Sequence, residues 1–204
     1  VAVGDYPVDH HHFRHPDWRE LPDLEFYPIP SFNVPMGTMI PKEVDDLIVA
    51  EKSISVSNLM NGATRLQPVV MQLGQAAGAL AALACIEDKG VKEIGVRQVQ
   101  EKLLEAGCYI MPYLDLPKSD PHFKALQRIG ATGVLRGEGR NVGWSNETWF
   151  RADEPLRGEE IYASELYGAI TVEPGEISVG RMLELVRSYG GRVPYGKLSD
   201  WWNQ

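Results

Sequence analysis

Residues 61–87, NGATRLQPVVMQLGQAAGALAALACIE, constrain this chain more than any other stretch. Gln67 and Pro68 stand where a helix would begin, because proline in the first helical turn gives up no hydrogen bond and already has the right φ. From Val69 to Cys85 apolar residues fall on every face, which predicts a helix from about Gln67 to Ile86 buried on all sides. Gly74 and Gly78 share a face and would let another backbone come close. A membrane span is the competing assignment, but it needs about 20 apolar residues, and Gln72 and Gln75 interrupt this run. The stretch is assigned as a core helix fed by a polar loop, with no transmembrane segment expected.

The flanking segments predict short strands. Val1 to Val8 is apolar and β-prone, and Leu47 to Ala50 is a continuous apolar run of buried-strand type. Pro16, Pro22, Pro28, Pro30 and Pro35 exclude a helix between them and favour extended pieces at Glu25 to Ile29 and Met36 to Ile40. Beyond the central helix, Asp88-Lys89-Gly90 is a stop signal. Val96, Val99, Leu103 and Leu104 then mark an amphipathic helix closed by Gly107.

Composition shifts to Pro, Asp and Tyr between Met111 and Lys118, where a domain boundary is expected. After it, Asp120-Pro121 caps a helix carrying Phe123, Leu126 and Ile129 up to Gly130, followed by the glycine-rich GATGVLRGEG. A short extended piece at Glu147 to Arg151 and helices at Gly158 to Tyr167 and Ile177 to Tyr189 complete the expectation. The class is α+β: residues 1–112 with short strands around a buried helix, then residues 113–204 as a small, mostly helical domain. Trp144, Trp149, Trp201 and Trp202 are assigned to that domain's core, with sugar stacking as the alternative.

A net charge of −8 argues against nucleic acid or an anionic membrane surface as partner. Cys85 and Cys108 make no disulfide framework and have no second thiol at metal-ligand spacing. His10, His11, His12 and His15 raise the question of a metal, since imidazole is a common ligand. Adjacent residues point in divergent directions and no cysteine lies nearby, so no metal site is expected there.

Several blocks agree in order with a known family. Ile29-Pro30, Ile40-Pro41-Lys42, Asp46 to Ala50, Arg65 to Pro68 and Leu73 to Gly78 resemble the C-terminal part of the FAD-dependent oxidoreductases related to the fumarate reductase and succinate dehydrogenase flavoproteins. The resemblance covers about residues 1–113. It implies FAD as cofactor and hydride transfer between a small substrate and the flavin, with the start of the central helix aimed at the pyrimidine edge of the ring. On that match Gln67, Pro68, Gly74 and Gln75 are cofactor-binding positions. Arg65 would bind a substrate carboxylate or the flavin, the alternative being a surface salt bridge. Tyr6, Asp9 and His11 match a Y-x-x-D-x-H stretch in which His11 is a proton donor or substrate ligand. Glu51 stands where the family usually has glycine; it is assigned to a flavin hydroxyl contact or, alternatively, to a solvated loop.

The G-x-G-x-x-G that cradles a pyrophosphate at a helix N-terminus does not occur in the sequence. The chain is therefore expected to be a C-terminal fragment that needs an N-terminal FAD-binding half and does not retain FAD alone. In the second part, Asp115, Pro117, His122, Phe123, Ala125, Leu126, Gly130, Gly133, Gly137, Phe150, Pro155 and Glu159 resemble an S-layer-homology-like module. Residues from Ile177 onward resemble part of a divergent second copy. This feeds the competing class: a carbohydrate-associated or cell-surface protein, of the kind related sequences labelled xanthan lyase represent. His11, Tyr6 and Arg65 can be fitted to a lyase acting on a carbohydrate substrate. The GQAAG helix, however, has a role in a flavoprotein and none in a lyase.

Overall fold

β1 (Ala2–Gly4) and β2 (Phe32–Val34) pair antiparallel with Ala2 opposite Val34 and Gly4 opposite Phe32. At position 4 a Cβ would stand 2.5 Å from the Phe32 ring, so any other residue would push that ring aside. The computed structural model describes residues 1–9, 29–143, 145–162, 172–178, 180–182, 184 and 185. After β2 come α1 (Asn58–Thr64), α2 (Gln67–Glu87), α3 (Val96–Glu105) and α4 (Phe123–Ala131), then the hairpin β3 (Glu138–Val142) and β4 (Ser145–Trp149). The mixture of helices and two small antiparallel sheets is the α+β class expected.

α2 begins at Gln67, with Pro68 in its first turn, and ends at Asp88, whose left-handed φ of 51° lets Lys89 N–H reach the Ala84 carbonyl at 3.0 Å. Its burial differs from expectation. Val69, Leu73, Ala76, Leu80 and Leu83 form one buried stripe against β1 and α3. On the opposite face Met71 and Ile86 are 75% and 79% exposed, and nothing lies within 4 Å of where a Cβ would stand on Gly74 or Gly78. Apolarity on every face fixed the helix but not which faces meet a neighbour; among the described residues, one face does. α2 is also the one described helix long and apolar enough to cross a membrane. Its partner α3 carries Arg97, Gln98, Glu101 and Glu105, and such charge argues for packing in a folded domain over packing in lipid.

α3 closes as expected: Gly107 takes φ 74°, its N–H bonds the Leu104 carbonyl at 3.1 Å, and Cys108 N–H bonds Leu103 at 2.8 Å, the paired pattern of a Schellman end. Other expectations are corrected. Residues 41–50 form no strand: Val44 and Leu47 are exposed, Asp46 has φ 53°, and Val49 N–H to the Met39 carbonyl is the one tie to that side. A buried strand needs a ladder on each edge, and none of the described residues supplies one. Met36–Met39 is a 3-10 turn, set by Pro35 and by Thr38 Oγ1 donating to the Pro35 carbonyl at 2.8 Å. The polar loop before α2 is largely helix, α1, because Ser57 Oγ caps it by accepting from Met60 N–H. α4 starts at Phe123, after Asp120 has turned the chain by accepting from His122 N–H.

The main core gathers β1, β2, α2, α3 and residues as late as Ile110, Tyr113, Leu116, Phe123 and Ala131. Gln127 lies fully buried within it, its Oε1 accepting from Ile110 and Met111 N–H at 2.8 and 2.7 Å and its Nε2 donating to the Met111 carbonyl. A second, smaller cluster centres on Val134 and Ile161. Gly158–Glu160 is a 3-10 turn where a longer helix was expected; a Cβ on Gly158 would stand 1.9 Å from the Glu173 carbonyl oxygen. The expected helix from Gly158 lies beyond Tyr162 outside the described residues, as do His10, His11, His12 and His15, Trp144, and Trp201 and Trp202. Of the helix expected at Ile177 to Tyr189, residues 177 and 178 are described and not helical, whereas 180–182, 184 and 185 are helical.

Candidate functional site

Arg65 ends α1 and stands two residues before α2 begins. Its own N–H bonds the Asn61 carbonyl, which turns the chain, and extended Leu66 then redirects it into α2. The guanidinium reaches Asp9: Nη2 donates to the Asp9 carbonyl at 3.2 Å and lies 3.9 Å from the carboxylate. Arg65 Nε is buried and has no hydrogen-bond partner among the described residues. A buried donor without an acceptor costs free energy.

The start of α2 is equally open. No side chain caps it, no acidic residue occupies its first turn, and Gln67 and Pro68 are exposed. Pro68 has no N–H and Val70 N–H is already bonded to Leu66, so Gln67 and Val69 carry the N–H groups that the ladder of α2 itself leaves over. A helix N-terminus carries about half a positive charge, and Arg65 precedes this one by two residues.

Glu51 opens the 3-10 turn Glu51–Ser53, which packs against α2, and it is exposed with a left-handed φ of 60°. Left-handed backbone favours glycine, which accounts physically for the glycine that the resemblance places there. Gly74 and Gln75 lie two turns along α2, about 10–12 Å from its first residue at 1.5 Å per residue. Gly74 is open, whereas Gln75 lines a groove of about 640 Å³ with Pro68, Gln72, Cys108, Tyr109 and Lys118. Burial pushes the Cys108 thiol up from its ordinary range, opposed by the Lys118 charge and a hydrogen bond from Gln75. The Lys118 ammonium sits 5.2 Å from the Tyr109 ring centroid.

The structure thus brings Arg65, Gln67 and Pro68 together at one helix start, with Asp9 holding Arg65. Gly74 and Gln75 are farther along α2, and His11 lies outside the described residues. Sequence reasoning missed Gln72, Cys108, Lys118 and Asn146 as groove-lining residues. The available signal was a polar amide inside an apolar helix, which demands a partner when half-buried.

The α+β unit sets an uncapped helix start two residues after an arginine, donors that would suit an electron-rich or anionic group. Residues 1–103 match the sequence model of the family described as FAD dependent oxidoreductase, and the chain belongs to that family. No curated protein and no solved structure matches it. The residues present fit the ring end of FAD. The orphaned Arg65 Nε and the uncapped start of α2 are donors suited to the electron-rich edge of a flavin, and no acid in that turn opposes them. They do not include a glycine-rich cradle for the pyrophosphate.

Proposed function

We propose that this chain forms the flavin-ring side of an oxidoreductase related to the fumarate reductase and succinate dehydrogenase flavoproteins, acting on a small substrate. The observation that carries this reading is the uncapped start of α2 two residues after Arg65, whose buried Nε has no partner among the described residues. Bound FAD would supply the two-electron centre that exchanges a hydride with the substrate. The N–H groups of Gln67 and Val69 and the helix dipole stabilise negative charge at the ring's pyrimidine edge. Arg65 orients the ring or a substrate carboxylate, for which a guanidinium is the suited donor. Glu51 accepts from flavin hydroxyls, and His11 is the proton donor or substrate ligand. Residues 113–204 serve as an S-layer-homology-like module. Its support is steric: Gly130 and Gly137 sit where Tyr113 and Trp149 leave no room for a Cβ, and Gly133 and Gly137 take φ of 76° and 73°.

The 204 residues alone should hold FAD weakly, because the pyrophosphate and adenosine contacts must come from a dinucleotide unit that they lack. Each missing charge-assisted hydrogen bond contributes about 1.5–3 kcal/mol, and three of them separate affinities by roughly 10³ to 10⁶. Titration with FAD followed by flavin fluorescence should show no sub-micromolar binding by this chain. The same protein carrying its glycine-rich half should bind tightly and lose affinity on Arg65→Met. Sub-micromolar binding by these residues alone, or an Arg65→Met protein that binds as the parent does, would overturn the reading.

A further inference from the structure

The β3–β4 hairpin reaches back to the beginning of the chain. Asn146 Nδ2 donates to the main-chain carbonyl of Asp5, and the Asn146 carbonyl accepts from Ser31 Oγ at 3.1 Å. Asn141 Nδ2 donates to the Ile29 carbonyl and to Asn146 Oδ1, so the two asparagines hold each other as well as residues 5, 29 and 31. Asn146 is 6% exposed, a site where bonds of this kind are shielded from competing water. From Asp5 the chain runs four residues, at most about 14 Å, to Asp9, which supplies the polar partners of the Arg65 guanidinium among the described residues.

From this geometry we infer that Asn146 is a positioning residue for Arg65: it anchors the Asp5–Asp9 segment and, through Asp9, sets the direction of the guanidinium at the start of α2. The inference rests on the reading of Arg65 as a site residue. It ties the glycine-rich second part of the chain to the flavin-facing part, since a side chain on β4 orients a cation 81 positions earlier in the sequence. Arg65 Nε, having no partner of its own, gives no independent fixation.

Asn146→Asp tests this with little loss of packing, because it keeps the side-chain size and the acceptor for Asn141 while removing the donor to Asp5. Two readouts are taken on the 204-residue chain without FAD: the Arg65 Nε–H resonance by NMR, and amide hydrogen exchange in residues 73–83. The expected result is an Arg65 resonance shifted toward its position in Asp9→Ala, with exchange in 73–83 unchanged. Ser31→Ala should give a smaller change of the same sign. An Arg65 resonance that stays at the parent position in Asn146→Asp overturns the inference, and so does accelerated exchange in 73–83. Failure of the flavin reading would show instead in the FAD titration, with these two readouts intact.

Discussion

Gln72 on α2 pairs with the backbone of Val3 as a neighbouring strand would: its Oε1 accepts Val3 N–H at 3.0 Å and its Nε2 donates to the Val3 carbonyl at 3.0 Å. Alternate residues of an antiparallel strand direct their polar groups to opposite edges. Val3 would have no partner on the edge away from β2 without this amide. Nε2 also reaches the Pro68 carbonyl at 3.1 Å, so one side chain ties the sheet to the first turn of α2.

Replacing it should therefore cost more than the loss of an ordinary half-buried side chain. Gln72→Leu leaves both Val3 groups unpaired, with an expected penalty of about 1–3 kcal/mol. Urea denaturation should show a lower midpoint at an unchanged slope. A loss under about 0.5 kcal/mol would mean that water replaces the amide without penalty.

Half-buried Gln72 and buried Gln127 explain how far the sequence could be read. α2, α3 and the Gly107 end were legible because they rest on local rules of period, proline placement and left-handed glycine. Leu47 to Ala50 was misread because an apolar run specifies burial only if partners exist, and the partners of a strand are distant in sequence. Gln127 carried no local signal in the sequence; only the fold shows that it closes the backbone of Ile110 and Met111. At the site, the start of α2 was legible from Gln67-Pro68. Its open donors and the Asp9 contact to Arg65 depend on a segment 56 residues earlier and could not be read locally.

Glu51 should be a poor residue for its own backbone. A non-glycine side chain in left-handed conformation costs about 1–2 kcal/mol, partly offset in a glycine variant by the greater entropy of the unfolded chain. Glu51→Gly is expected to stabilise the chain by up to about 1 kcal/mol in thermal or chemical unfolding. If Glu51 also contacts flavin hydroxyls, the same variant in a flavin-loaded protein should bind FAD more weakly despite the firmer fold. A stability loss would show that the carboxylate makes a contact worth more than the strain.

Gly130 packs against Tyr113 so closely that a Cβ would stand 2.1 Å from the phenol oxygen. Tyr113 is itself 3% exposed, sits 5.0 Å from the Phe150 ring and is bridged to Thr148. Gly130→Ala should accordingly destabilise by about 1–3 kcal/mol, the usual cost of overpacking. Tyr113→Phe removes the nearest of the three conflicting atoms, leaving ring carbons at 2.8 and 2.9 Å, so the double variant should recover part of that loss. A double-mutant cycle with no coupling would show that the ring moves aside freely.

Glu159 gives a pH dependence with a defined sign. Its carboxylate accepts from Gly175 N–H at 2.8 Å and from Arg157 Nε at 2.7 Å, and the Gly175 bond, then its own backbone N–H and the Arg157 contact, bring its pKa from 4.5 down to about 2. A carboxyl group depressed in the folded state stabilises fully above its unfolded value and loses that contribution as pH falls through its folded value. The contribution is therefore complete above about pH 4.5 and gone near pH 2. The segment it holds is further tied by Gly158 N–H to the Gly175 carbonyl at 2.8 Å and by Ile177 N–H to the Leu156 carbonyl at 2.8 Å. The Gly175 amide resonance should titrate with a midpoint near 2 in the parent chain and become pH-independent in Glu159→Gln. A midpoint near 4.5 would mean that the carboxylate is solvated and does not clasp the Gly175 turn.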